Sequence, residues 1–241
     1  MKLVDKLLAA DYDLMESGPI NIVALGDSVT HGAVAPGEMN YETVYWNRLR
    51  QRLQAKNDWI PINVINTAIA GTTAADALPR MEKQVFSHEP DLVIVCFGLN
   101  DVHRDLETYL SSLETIFRRC REGNVDVIFM TPNMLNTYVA EDTHPDIKAG
   151  AAVTADMQNS GKMDRYIYAA IDLAKSMGVP VCDCYSQWKE LSKTQDTTML
   201  LANRINHPTK EMHQLFSDSL YAMLFPEEAD EQALRSTMYH E

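Results

Sequence analysis

The sequence has few cysteines. Four in 241 residues are too few for a disulfide framework. Cys96 lies in a strongly apolar run and Cys182 and Cys184 alternate along another, so all read as buried free thiols of a reducing compartment. The Cys-x-Cys pair has no histidine beside it, and no metal site is expected from it. Long hydrophobic runs are also lacking: nowhere do about 18 apolar residues follow one another, which excludes a transmembrane helix. The N-terminus lacks the features of a signal peptide. Lys2, Asp5 and Lys6 interrupt the first apolar positions, and Asp11, Asp13 and Glu16 follow before any cleavage-type site, so a cytoplasmic location is expected. Positive charge is scarce as well, with 21 Lys and Arg against 34 Asp and Glu and a net charge of −13. Such a chain repels phosphate backbones and anionic lipid surfaces. Its densest basic run, Arg118, Arg119 and Arg121, shares a predicted helix with Glu114 and Glu122. Neither nucleic acid nor a membrane is expected as a partner.

What is present fits a globular protein: 46% of residues are hydrophobic and 23% charged, without repeats, low-complexity tracts or linkers. The length suits one core, and residues 1–241 are read as one domain. A short N-terminal helical segment within residues 1–18 and an acidic tail at 226–241 are its appendages. Leu3, Val4, Leu7 and Leu8 form the stripe of that first helix. With Leu234 and Met238 of the tail, this stripe serves either intrachain packing or contacts in a homo-oligomer.

Five apolar runs of strand length, rich in Val and Ile, occur at 20–25, 62–65, 92–97, 125–130 and, shorter, 179–182. They are nearly continuous rather than alternating, as strands covered on both faces are. Helical patterns at about 42–55, 74–86, 105–122 and 161–177 lie between them. This alternation predicts an α/β fold with a mainly parallel sheet. One connection, 131–160, is long and nearly aperiodic. It is either a surface excursion with a short helix of its own or a wall over a site.

Ligands of open α/β sheets bind beyond the carboxyl ends of the strands, so the loops there hold the candidate chemistry. Gly26-Asp27-Ser28-Val29-Thr30-His31-Gly32 follows the first run. Asn66-Thr67-Ala68-Ile69-Ala70-Gly71-Thr72-Thr73 follows the second, and Gly98-Leu99-Asn100-Asp101 the third. Asn203-Arg204-Ile205-Asn206-His207-Pro208-Thr209 stands far downstream, before a final helix. Each piece alone is an ordinary turn or cap. Together they bring a hydroxyl nucleophile, an imidazole base, an amide donor and a flexible glycine N–H to one edge. The Gly-x-Ser-x-Gly motif of α/β-hydrolases is absent, since Thr30 stands at its second glycine.

In these four blocks the chain resembles the SGNH hydrolases, also called the GDSL esterase/lipase family, over nearly its whole length. Ser28 matches the family nucleophile, Gly71 the glycine of the second block, Asn100 the asparagine of the third and His207 the histidine of the last. The resemblance implies a flavodoxin-like three-layer α/β/α sandwich, here with five strands. It also implies hydrolysis of small-molecule esters without a cofactor. Ser28 would attack the acyl carbon while His207 shuttles the proton. The backbone N–H groups of Ser28 and Gly71 and the Asn100 amide would form the oxyanion hole. Asp27 and Asp101 would tie loops together.

The last block departs from the pattern. The family usually places an aspartate three residues before the histidine, and here that residue is Arg204. No carboxylate lies between Asp196 and Glu211. The expectation is therefore a Ser–His pair whose imidazole is oriented by an amide, from Asn203 or Asn206, or by a backbone carbonyl. Asp196 can serve only if the 194–202 loop folds back. Small, polar acyl esters, above all acetyl esters of carbohydrates, are the expected substrates, with Val29, Val102, His103 and the 131–160 connection setting specificity. A degenerate relative that binds a sugar or ester without turning it over is the alternative. A flavin-binding flavodoxin is a third reading, and the lack of a Ser/Thr-rich phosphate loop after the first strand speaks against it.

Overall fold

The computed structural model describes residues 1–228, so Leu234, Met238 and most of the acidic tail lie outside the described residues. The five apolar runs are strands: β1 (Ile20–Gly26), β2 (Ile62–Asn66), β3 (Leu92–Cys96), β4 (Asp126–Met130) and β5 (Val181–Cys182). They form one sheet in the order β2-β1-β3-β4-β5, and every pairing is parallel. This is the strand order of flavodoxin-like doubly wound folds. Burial follows position in the sheet. All five residues of the central β3 are fully buried, whereas β2, at an edge, is buried only at its first residue.

Helices cover both faces. On one side Tyr45–Gln54 packs against His213–Leu224. On the other Leu106–Glu122 packs against Lys162–Ser176. Their inward stripes are apolar, as in Tyr45, Trp46, Leu49 and Leu53 of the first. The N-terminal appendage is two pieces, Lys2–Leu8 and Leu14–Ser17, rather than one helix. Leu3 and Leu7 are buried while Leu8 is 62% exposed.

One further expectation needs correction, and one alternative is decided. The pattern at 74–86 is not one helix but a chain of short helical turns (Ala74–Ala77, Leu78–Arg80, Met81–Gln84 and Phe86–His88). Pro79 lacks the N–H that a continuous helix needs there. The aperiodic 131–160 connection contains a three-turn helix, Lys148–Asn159. Its buried face is Ala151, Thr154, Ala155 and Gln158, a small and polar set with little hydropathic signal. Its polar members are paired: Gln158 Oε1 accepts from Leu135 N–H at 2.9 Å, and Thr154 Oγ1 donates to Asn136 Oδ1 at 2.5 Å.

The register delivers the candidate loops to one edge. Gly26 pairs with Cys96 and Ala24 with Asn66, so the residues after β1, β2 and β3 emerge side by side. A Cβ at Gly26 would stand 2.6 Å from the Cys96 carbonyl and clash with Thr30. Only glycine permits the tight exit that places Ser28.

Candidate active site

Ser28 opens a single helical turn, Ser28–His31, directly after β1. Asp27 caps that turn, accepting the Val29 N–H on Oδ1 at 3.1 Å. Ser28 is 5% exposed. Its Oγ lies 2.9 Å from His207 Nε2 although 179 residues separate the two. The other ring nitrogen, Nδ1, lies 3.0 Å from the Val34 carbonyl oxygen. A carbonyl can only accept, so Nδ1 carries the ring proton and donates it to Val34. Nε2 is then the lone-pair nitrogen that accepts the Ser28 hydroxyl. One backbone carbonyl thus fixes the tautomer that makes the imidazole a base toward serine. Burial pushes the His207 pKa below its ordinary 6.5, and the Val34 hydrogen bond opposes this in part.

None of the three side chains expected to orient the imidazole does so. Asn203 Oδ1 accepts the backbone N–H groups of Ile205, Asn206 and His207 at 3.0, 3.0 and 2.9 Å, and its amide donates to Asn206 Oδ1 at 2.9 Å. Asn203 and Asn206 therefore shape the loop that carries His207. Asp196 is occupied elsewhere, accepting from Tyr138 Oη at 2.5 Å and from Thr198 N–H at 3.0 Å. Arg204, at the position of the family aspartate, has φ +59°. It forks onto Asp142, with Nε 3.1 Å from Oδ1 and Nη2 2.9 Å from Oδ2. Asp142 belongs to the 131–160 connection, which meets the histidine loop again where Asn136 N–H donates to the Ile205 carbonyl and Asn133 Nδ2 to the Asn206 carbonyl, both at 2.9 Å. Of the two readings of that connection, its own helix is present, and its first part also braces the histidine loop.

Gly71 and Asn100 come from the adjacent loops. Gly71 sits in an exposed turn at φ +81°, where other residues are strained. Asn100 Nδ2 donates one hydrogen to the Thr72 carbonyl at 2.9 Å. An amide nitrogen has two hydrogens, so this contact anchors the side chain and leaves the second for a ligand. Thr72 follows Gly71, and the same bond links the two loops.

Both Asp27 and Asp101 are buried, but only Asp101 ties two loops as expected, while Asp27 caps its own turn. Asp101 Oδ1 accepts from Ala74 N–H at 2.9 Å, and in both carboxyls Oδ2 has no partner among the described residues. Burial, against their backbone hydrogen bonds, raises Asp27 to about 7 and Asp101 to about 6. Val29 and Val102 are fully buried and pack in the core rather than facing a ligand, while His103 is exposed. Two contributors were invisible to sequence reasoning: the Val34 carbonyl, which any residue could supply, and His31, whose ring accepts the Ala70 N–H at 3.2 Å. Among the described residues no group of three or more His, Cys, Asp or Glu side chains could hold a metal ion, and no helix is long and apolar enough to cross a membrane.

Comparison with known proteins identifies the family and the fold. The family model described as GDSL-like Lipase/Acylhydrolase family matches residues 24–215. An acetylxylan esterase from Geobacillus stearothermophilus is 25% identical over 213 residues, covering 81% of this chain and 90% of that protein. An arylesterase from Vibrio mimicus is 27% identical over 111 residues, covering 45% of this chain and 52% of its own length. The crystal structure of the Geobacillus stearothermophilus acetylxylan esterase superposes with a TM-score of 0.67 at 24% identity, covering 87% of this chain and 95% of that one. Catalytic mutants of that esterase replace a serine, an aspartate and a histidine.

Proposed function

The chain belongs to the GDSL-like lipase/acylhydrolase family, whose activity is carboxylic ester hydrolysis, and on that premise we propose that it removes small acyl groups, above all acetyl, from carbohydrate esters by a Ser28–His207 dyad. The observation that carries this reading is the continuous line from the Val34 carbonyl through the His207 imidazole to Ser28 Oγ, at 3.0 and 2.9 Å. It supplies a base of fixed tautomer in contact with a nucleophile, without a carboxylate.

The reaction then runs in two halves. Ser28 Oγ adds to the ester carbonyl carbon as His207 Nε2 takes its proton. In this reading the resulting oxyanion is held by the Ser28 and Gly71 N–H groups and the free hydrogen of Asn100 Nδ2. Such fixed donors lower the barrier because they need no reorganisation as the charge forms. The imidazolium returns the proton to the leaving alcohol, and the acyl group remains on Ser28. Water enters, gives its proton to Nε2 and attacks the acyl carbon. Ser28 recovers the proton as the carboxylic acid leaves.

The acetyl preference draws support from the relatives named acetylxylan esterase. The experiment is a panel of p-nitrophenyl esters from acetyl to octanoyl, with acetylated xylo-oligosaccharides, run with Ser28→Ala as the blank. The reading expects acetyl to be the best acyl group and Ser28→Ala to be inactive. Preference for octanoyl would overturn the small-acyl part. Binding of sugar acetates without turnover by the unsubstituted protein would favour a degenerate binder.

A further inference from the structure

The Gly71 turn is a weak point of the proposed oxyanion hole. Ile69, Ala70 and Gly71 are all exposed, and the space where a Gly71 Cβ would stand has no atom within 4 Å. Packing therefore does not hold this N–H in place, and hydrogen bonds must. Within the turn, Thr72 N–H and Thr72 Oγ1 both close onto the Ile69 carbonyl, at 3.3 and 2.7 Å. From outside, Ile69 N–H is tied to the Gly26 carbonyl at 3.2 Å, and Asn100 holds the Thr72 carbonyl. The residue directly before Gly71 has one external tie, Ala70 N–H to His31 Nδ1 at 3.2 Å.

His31 is well placed for that task. It ends the same helical turn that Ser28 begins, and its carbonyl accepts from Asn66 Nδ2 at 3.2 Å. Asn66 in turn accepts the Ala68 N–H on Oδ1 at 3.1 Å. Tyr41 lies beside the imidazole, the ring centres 6.3 Å apart. Accepting the Ala70 N–H requires an unprotonated Nδ1, so the neutral ring with its proton on Nε2 is the form that fits.

We propose that His31 is a positioning residue of the esterase, its neutral imidazole tying the Gly71 turn to the turn that carries Ser28 so that two backbone donors keep one geometry. This rests on the esterase reading above. His31 does not touch the reacting atoms. Its effect is to hold Gly71 N–H where the oxyanion forms, and that interaction matters in the transition state more than in the bound substrate.

Two substitutions separate this role from simple packing. His31→Phe keeps a ring beside Tyr41 but removes the acceptor. His31→Asn loses the ring but places Oδ1 close to where Nδ1 stood. With p-nitrophenyl acetate, and well below the melting temperature of each variant, His31→Phe should lower kcat by about 10- to 100-fold, the scale of small misplacements in an active site. Its KM should stay within about threefold of the unsubstituted protein, and His31→Asn should recover most of kcat. Unchanged kcat in His31→Phe, equal losses in both variants, or a loss confined to KM would overturn the proposal. Ser28→Ala in the same series keeps the two claims apart. If it retains turnover, the esterase reading fails. If it is inactive while His31→Phe is unimpaired, only the role of His31 fails.

Discussion

At the residue scale the chemistry rests on one imidazole with two unequal partners. A buried carboxylate would stabilise the imidazolium with a full charge and raise its pKa. The Val34 carbonyl supplies only a dipole, and burial prevails, leaving His207 below its ordinary 6.5. The base must be neutral to accept the serine proton. The kcat/KM for an acetyl ester should therefore rise with pH through an ionisation below 6.5, ahead of the separate titration of buried Asp27 at about 7. His213 nearby does not contribute, since burial lowers it to about 3 and keeps it neutral throughout. A pH–rate profile checks this, and a controlling ionisation well above 7, beyond that of Asp27, would point to a carboxylate beside the ring.

At the element scale, the loop Asn203–Thr209 behaves as a small rigid unit. One side-chain oxygen, Asn203 Oδ1, gathers three successive N–H groups, and the loop closes where Ala202 N–H donates to the His207 carbonyl at 2.7 Å. Asn203 is therefore a scaffold for the histidine rather than its hydrogen-bond partner. Asn203→Ala leaves donors without their acceptor, a cost of about 1–3 kcal/mol when such groups are buried. Both urea stability and kcat should fall, the latter by about tenfold as the Ser28–His207 alignment loosens. The position of the pH profile should not move. Full stability with a shifted pH profile would instead place the amide on the ring. The long connection is coupled to this unit through Asn136, Asn133 and the Arg204–Asp142 fork. The bounds and the buried face of its helix were not legible in the sequence because Thr154 and Gln158 are buried through hydrogen bonds instead of apolar contact. Hydropathy sees only the second kind.

At the scale of the whole molecule, the parts legible in the sequence are those set by burial on both faces of a sheet. β1, β3 and β4 read as continuous Val and Ile runs, and their loops carry Ser28 and Asn100 because strand C-termini face one edge. Gly71 and His207 were legible as residues of motif blocks; the parallel register sets the Gly71 loop beside that of Ser28, whereas His207 arrives on a loop between two helices that no strand register positions. A backbone carbonyl was among the expected partners of the imidazole, but that it belongs to Val34 was not legible. Backbone carbonyls leave no mark on residue identity, and the arginine at the usual aspartate position signalled only what was missing. Pro79 was visible, yet the apolar spacing around it masked the break it imposes at 74–86.

The central claim is that a Ser–His dyad works here without a carboxylate, and Asp196 is the acidic side chain that sequence reasoning left as a candidate. The direct measurement is kcat/KM for p-nitrophenyl acetate in His207→Ala and in Asp196→Asn, each against the unsubstituted protein. His207→Ala should lose about 10⁴-fold or more, as removal of a catalytic base does. Asp196→Asn should stay within about threefold, since its carboxylate is engaged by Tyr138 and Thr198 rather than by the imidazole. Equal losses in the two variants would show that Asp196 reaches His207 during turnover, and the dyad account would be wrong.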